Sequence, residues 1–277
     1  MKLIDGKKLA NELHKETAKE IEKMFRVPGL AIVLIGDDPA SRTYVGLKEE
    51  YAEKIGMHFE KYVYPENVDQ EVVLEKVEEL NEREEIHGIV VQLPLPDSLD
   101  TNQIISSITP EKDVDGFHPD NVEMVLEGRE HIMPSLIKSI LYLADSTGFT
   151  FRDSTVVILA NSKTFASPLA SVLHRRKMDV AVVLPPFADF EQKTQKADLI
   201  IIAIGKPRFL KGNAVKKGAH IIDVGFTRGT KGVVGDVDQK SVKDTAGWLT
   251  PVPGGVGPMT VATLLSNTVE ACKLQTS

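Results

Sequence analysis

The sequence predicts two α/β domains that face each other across a cleft. Three observations carry this reading. Short runs rich in Val and Ile are apolar on both faces, longer stretches between them have helical spacing, and a proline-rich interruption falls near mid-chain. Runs apolar on both faces suit parallel strands covered by helices. Strands that alternate with helices build βαβ units.

Residues 5–26 read as a first helix, with Leu9, Leu13, Ile21 and Met24 near one face. A strand over 30–35 follows, then helices over 43–55 and 68–83, then a strand over 88–93. Residues 94–134 hold Pro94, Pro96, Pro110, Pro119 and Pro134 and few apolar runs, so they read as a loop-rich wall and a boundary. Alternation resumes with a helix over 135–146, a strand over 155–160 and a helix over 165–177. Further strands fall at 180–184, 199–204 and 220–224. The expected organisation is an N-terminal domain over 1–120 and a Rossmann-like parallel sheet over 134–250. A final helix within 258–277 is expected to pack back on the first domain.

A chain of 277 residues can bury the cores of two medium domains. Its 42% hydrophobic and 26% charged residues exclude disordered and fibrous classes. A net charge of -7, from 33 basic and 40 acidic residues, gives no support for nucleic-acid binding. Cys272 is the only cysteine, so no internal disulfide or thiolate metal site can form. No apolar run approaches the roughly 20 residues that span a bilayer. Charged residues enter within the first five positions, which leaves no signal-peptide core. The expected location is the cytoplasm, with no membrane partner.

Four segments offer chemistry. Tyr44 and Lys48 are four apart and share a helical face. A buried lysine beside an aromatic ring can donate or accept a proton, whereas a solvated one only decorates a helix. Gln92 is a polar residue closing an apolar strand that ends Val91-Gln92-Leu93-Pro94, and it needs a partner. Asp113, Asp115 and His118 crowd one loop. Turn stabilisation and acceptance of hydrogen bonds from a ligand fit them equally, and a metal lacks further ligands. Pro253-Gly254-Gly255-Val256-Gly257 allows close backbone approach and reads as a ligand loop. A dinucleotide turn is expected after the 155–160 strand, yet Ala160-Asn161-Ser162-Lys163 contains no glycine.

Taken in order, these pieces resemble the bifunctional methylenetetrahydrofolate dehydrogenase/cyclohydrolase (FolD) family. The resemblance rests on Asp5-Gly6-Lys7, Gly36-Asp37-Asp38-Pro39, Tyr44 with Lys48, and His87 to Pro96. It continues through Lys112 to Pro119, Gly205-Lys206-Pro207, Ile222-Asp223-Val224-Gly225, Gly235-Asp236-Val237-Asp238 and Thr250 to Thr260. It implies NADP-dependent oxidation of methylenetetrahydrofolate, then hydrolysis of the methenyl product to formyltetrahydrofolate, which serves one-carbon metabolism and purine biosynthesis. By the same resemblance Lys48 is the catalytic lysine, Tyr44 packs on the folate, Gln92 tunes the lysine and Asp115 holds the pterin amino groups. Val91, Leu93 and Pro253, Gly254, Gly255, Val256 and Gly257 line the substrate site. A homodimer is also implied.

The resemblance is weaker on the cofactor side, at Ala160, Asn161, Ser162, Lys163, Pro185 and Phe226. The family's Gly-Arg-Ser is Ala160-Asn161-Ser162 here, its His-Ser is Leu184-Pro185, its Ile-Asn is Phe226-Thr227, and its Pro-Cys-Thr-Pro is Pro134-Ser135-Leu136-Ile137. Asn161 cannot make the arginine's bidentate pair with a 2′-phosphate, and Lys163 offers a point charge instead. Two readings follow: a dehydrogenase with altered use of NADP or NAD, and a cyclohydrolase without hydride transfer.

Overall fold

The computed structural model describes residues 1–229 and 232–276. The chain opens with β1 (Lys2–Leu3), α1 (Gly6–Ile21), β2 (Gly29–Ile35), α2 (Pro39–Lys54), β3 (His58–Tyr64), α3 (Gln70–Glu82) and β4 (Gly88–Val91). Two short helices, α4 (Thr101–Ser106) and α5 (Pro119–Glu127), punctuate the proline-rich stretch. Then come α6 (Ser135–Asp145), β5 (Thr155–Ala160), α7 (Lys163–Arg175), β6 (Asp179–Val183), α8 (Phe190–Thr194), β7 (Leu199–Ala203) and β8 (His220–Asp223). A hairpin of β9 (Thr227–Gly229) and β10 (Gly232–Val234), then β11 (Trp248–Leu249) and α9 (Val256–Thr276), complete the chain.

Two compact units result. One gathers Ala10–Met124, Glu130–Ser135 and the chain from Val261 onward. Its sheet has the order β3-β2-β4, and every pairing is parallel. Side chains along β2 alternate between faces, as a strand's must. Leu30, Ile32 and Leu34 join one core with Val45 and Ala52 of α2 and Leu264, Leu265 and Val269 of α9. Ala31, Val33 and Ile35 join the opposite core with Val73, Val77 and Leu80 of α3. Residues 94–134 are more ordered than their prolines suggest, because Asp100 caps α4 through a bond from the Gln103 N–H.

The other unit gathers Met1–Leu9, Val125–Arg129 and Leu136–Thr260. Its sheet has the order β1-β11-β8-β7-β5-β6, again parallel throughout. The carboxyl ends of its strands therefore share one edge. Residues 1–9 lie in this unit, although the sequence reading puts them with the first domain. The reason is that β1 adds to the sheet beside β11. The core is aliphatic, with Val157, Leu159, Ile200, Ile202 and Ile221 fully or almost fully buried.

One buried charge fastens the first unit. Lys112 Nζ donates to the carbonyls of Leu80, Asn81 and Arg83 at 3.0, 2.7 and 2.8 Å. These are end-of-helix oxygens of α3 that the helix itself cannot satisfy. Replacing Lys112→Met keeps the stem and removes the donor, and should lower stability by about 2 kcal/mol. Urea unfolding checks this; an unchanged midpoint would show that the carbonyls find water at no cost.

Candidate active site

The geometry begins on α2. Asp38 caps this helix by accepting the Ser41 N–H at 2.7 Å, and Pro39 starts its first turn. That start sets the phase, so Val45 and Lys48 turn inward while Tyr44 packs half-buried against the same core. Lys48 is only 7% exposed. Its Nζ donates to Gln92 Oε1 at 3.0 Å. The Gln92 amide is not free to flip, because its Nε2 donates to the Leu93 carbonyl at 2.7 Å and so leaves Oε1 for the lysine. Gln92 is carried by the end of β4, where its N–H pairs with the Val33 carbonyl at 2.9 Å.

Asp115 completes the group. Burial pushes the Lys48 ammonium below the ordinary lysine range, and the Asp115 charge pulls it partly back. Burial alone pushes the Tyr44 hydroxyl up. The structure thus brings Tyr44, Lys48, Gln92 and Asp115 into one group, with Val91 buried at the end of β4 and Leu93 half-buried beyond it.

The three polar residues of the Asp115 loop have different roles. Asp113 is buried and accepts from the Gly116 and His118 N–H groups and from Asn121 Nδ2, so it is the turn stabiliser. His118 is spent on its own loop, where Nδ1 accepts from the Asp120 N–H at 3.1 Å. Among the described residues no cluster of acids, histidines or cysteines could hold a metal. Asp115 is half-buried and is held by Ser135, whose hydroxyl donates to Oδ1. In the sequence Ser135 stands out only as a departure from the resembled pattern. Asn267 of α9 is another missed residue, donating to the carbonyls of Val114 and Met133 at 3.0 and 2.8 Å. No local signal marks it, since α9 also carries Thr260, Ser266, Thr268 and Glu270.

The loop Pro253 to Gly257 lies in the other unit. Gly254 has φ +104, and a Cβ on Gly255 would meet the Pro251 carbonyl oxygen at 2.6 Å. A positive φ at Gly254 and backbone crowding at Gly255, both inside that unit, therefore already call for these two glycines.

That unit also carries the cofactor candidates. Ala160 ends β5, Asn161, Ser162 and Lys163 follow it, Pro185 follows β6 and Phe226 follows β8, so all six sit at the shared carboxyl edge. Asn161 Nδ2 donates to the Ile204 carbonyl just beyond β7. Two acids that the sequence offered only as part of the resemblance hold the same edge. Asp236 accepts the N–H groups of Ile204 and Gly205 at 2.7 and 3.0 Å. Asp223 accepts those of Gly225, Asp236 and Val237, and burial pushes its carboxyl up to about 6 against those three bonds.

Fold and site together define a two-unit α/β protein with a buried lysine–carboxylate pair in one unit and a nucleotide-type sheet edge in the other. Comparison with known proteins makes this specific. Residues 4–115 match the catalytic domain of tetrahydrofolate dehydrogenase/cyclohydrolase, and residues 134–276 match its NAD(P)-binding domain. The bifunctional protein FolD of Halothermothrix orenii is 43% identical, covering 98% of each chain. That of Listeria innocua is 42% identical, covering 98% of this chain and 97% of its own. The FolD structure from Campylobacter jejuni superposes with TM-score 0.95 at 38% identity, covering 99% of both chains. The Trypanosoma brucei FolD structure, complexed with NADP and an inhibitor, has TM-score 0.93 at 34% identity, covering 99% of this chain and 98% of that one. The chain belongs to the tetrahydrofolate dehydrogenase/cyclohydrolase family.

The acid-held edge yields a prediction. A Cβ on Gly235 would lie 2.0 Å from Asp223 Oδ2. Gly235→Ala should therefore cost about 3 kcal/mol through overpacking. Thermal unfolding of Gly235→Ala with and without Asp223→Ala checks it, since the two losses should be strongly non-additive. Simple additivity would refute the clash.

Proposed function

We propose that the chain oxidises 5,10-methylenetetrahydrofolate with NADP and hydrolyses the resulting methenyl compound to 10-formyltetrahydrofolate. The observation that carries this is the buried Lys48, held by Gln92 with Asp115 beside it. An ammonium in apolar surroundings gives up its proton more readily than one in water, so Lys48 can accept a proton from an attacking water and return it. Gln92 keeps the lysine aimed in both protonation states, because its Oε1 accepts from the amine or the ammonium alike. Asp115 accepts hydrogen bonds from the pterin amino groups, Tyr44 supplies an apolar ring face, and Val91 and Leu93 contribute lining.

The residues at the second unit's edge fit a dinucleotide. Ser162 caps α7 by position but makes no side-chain cap bond, so the first-turn N–H groups remain available to a pyrophosphate. Ser162, Lys163 and Thr164 are exposed there. The absence of glycine does not close the site, because Asn161 turns its side chain onto the Ile204 carbonyl. Ser162, Lys163 and the first turn of α7 would hold NADP here, and the nucleotide would supply the hydride acceptor. Lys163 provides charge for the 2′-phosphate, and Pro185 and Phe226 offer apolar surface, so NAD is also accepted. This open edge favours the bifunctional reading over a cyclohydrolase alone.

The working form is a homodimer in the cytoplasm. Its support is β3, whose outer side has no strand neighbour among the described residues and therefore offers an edge for pairing. Light scattering should give twice the chain mass; a monomer at micromolar concentration would sink the dimer. No described helix is long and apolar enough to cross a membrane.

The deciding experiment mixes purified protein with methylenetetrahydrofolate and either NADP or NAD, and follows reduced nicotinamide and the methenyl intermediate. We expect reduction with both and faster with NADP. Lys48→Met should lose hydrolysis by at least about 100-fold and still bind folate. Hydrolysis that survives in Lys48→Met removes the lysine from the mechanism. No reduction with either nucleotide removes the dehydrogenase.

A further inference from the structure

We propose that Ser135 is a positioning residue whose hydroxyl fixes the Asp115 carboxylate and limits the negative charge that Asp115 presents to Lys48, an inference that rests on the folate-enzyme reading above. Ser135 is only 2% exposed. It grips Asp115 twice, since its hydroxyl donates to Oδ1 and its backbone N–H donates to the Asp115 carbonyl at 3.3 Å. Residues twenty positions apart are thereby closed into one ring.

Two further features show that this juxtaposition is built into the fold. Gly116 has φ +83, and a Cβ there would stand 2.7 Å from Pro134 Cα, so only glycine lets the two segments meet. Helix α9 then clamps both segments. Thr263 Oγ1 donates to the Ser135 carbonyl at 2.9 Å, and Asn267 bridges the carbonyls of Val114 and Met133. Val114, next to Asp115, and Met133, two residues before Ser135, are therefore supported from the same helix.

The chemistry follows from what Lys48 faces. Asp115 is the carboxylate acting on it, Gln92 is neutral, and Tyr44 lies on its own helix. Asp113 stands behind Asp115, with its own oxygens occupied by two N–H groups and the Asn121 amide. A carboxylate with no donor of its own would bind the ammonium strongly and keep it protonated. A hydroxyl donating to one oxygen forms a charge-assisted bond and draws charge density to that side. The other oxygen stays in place for substrate amino groups. Ser135 therefore lets one carboxylate bind the ligand without locking the proton on the lysine. The family pattern noted above has cysteine at this position, a weaker donor.

The test reads Lys48 directly. Full-length protein is treated with trinitrobenzenesulfonate across a pH series, and modification of Lys48 is measured by mass spectrometry of its peptide. Methenyltetrahydrofolate hydrolysis is followed over the same series. In Ser135→Ala the midpoint for Lys48 labelling should rise by about one pH unit, which means about tenfold less neutral lysine at a fixed pH. The hydrolysis profile should shift by the same amount, with kcat near neutrality falling up to about tenfold and KM changing less. Ser135→Cys should fall between Ser135→Ala and wild type, and it carries the comparison if the alanine variant does not fold. Equal labelling midpoints in wild type and the variants overturn the proposal, even if hydrolysis slows. Failure of the wild-type protein to hydrolyse the substrate overturns the folate reading instead, while the labelling arm still decides the role of Ser135.

Discussion

A lysine ammonium that is almost wholly removed from water is the constraint around which the first unit is arranged. Burying an unpaired charge is prohibitive, so such a group survives only with acceptors placed at it in advance. Lys48 has one neutral acceptor and one carboxylate nearby. Each comes from a different element. β4 delivers Gln92 beside β2, and the loop between α4 and α5 delivers Asp115. That loop is pinned by α9, a helix distant in sequence but seated in the same core as β2. If any of these supports slips, the lysine either regains water or keeps its proton permanently. The packing of Leu30, Ile32 and Leu264 is thus linked to chemistry through the dielectric it creates around Nζ.

Carboxylates elsewhere in the chain show what a purely structural buried acid looks like. Asp113, Asp223 and Asp236 spend their oxygens largely on backbone N–H groups of adjacent turns. They replace helix or sheet bonding where the chain must bend, as short acidic side chains do in turns. Asp115 differs on each count. It is only half-buried, its side chain accepts from a hydroxyl, and the cation it influences is itself buried. The contrast between Asp113 and Asp115, two residues apart in one loop, separates holding a fold from presenting a charge.

Much of this was legible in the sequence, for identifiable reasons. Strands β2, β4, β5 and β7 are apolar on both faces, and continuous runs of Val, Ile and Leu report them directly. β3 escaped because it is an edge strand of exposed and half-buried residues, and His58-Phe59-Glu60-Lys61 carry no apolar run. β1 and β11 have two residues each, too short for any periodicity. α4 and α5 were hidden among prolines, although Pro119 merely occupies the first turn of α5, where its missing N–H costs nothing. In the site, the four-residue spacing of Tyr44 and Lys48 was readable because helix geometry is local. Ser135 and Asn267 were not, because their roles depend on which carbonyls the tertiary fold places within reach.

The glycine-free turn after β5 makes the same point about local pattern and physical requirement. Glycines are favoured there because a bare backbone can approach a phosphate and a neighbouring strand closely. The requirement itself is narrower: free N–H groups at a helix start and a tight crossing between adjacent strands. Here the first is met by α7, whose N-cap Ser162 leaves its side chain unengaged with the helix. The second is met by Asn161, whose amide bonds to the Ile204 carbonyl while Asp236 takes the Ile204 N–H from the other side. A side-chain bond thus secures the crossing that close glycine contact usually provides. The cost is that Asn161 is committed to the protein and cannot contact the nucleotide with that amide nitrogen. On the proposed function, discrimination at this edge would fall to the point charge of Lys163, a weaker selector than a planar guanidinium fork.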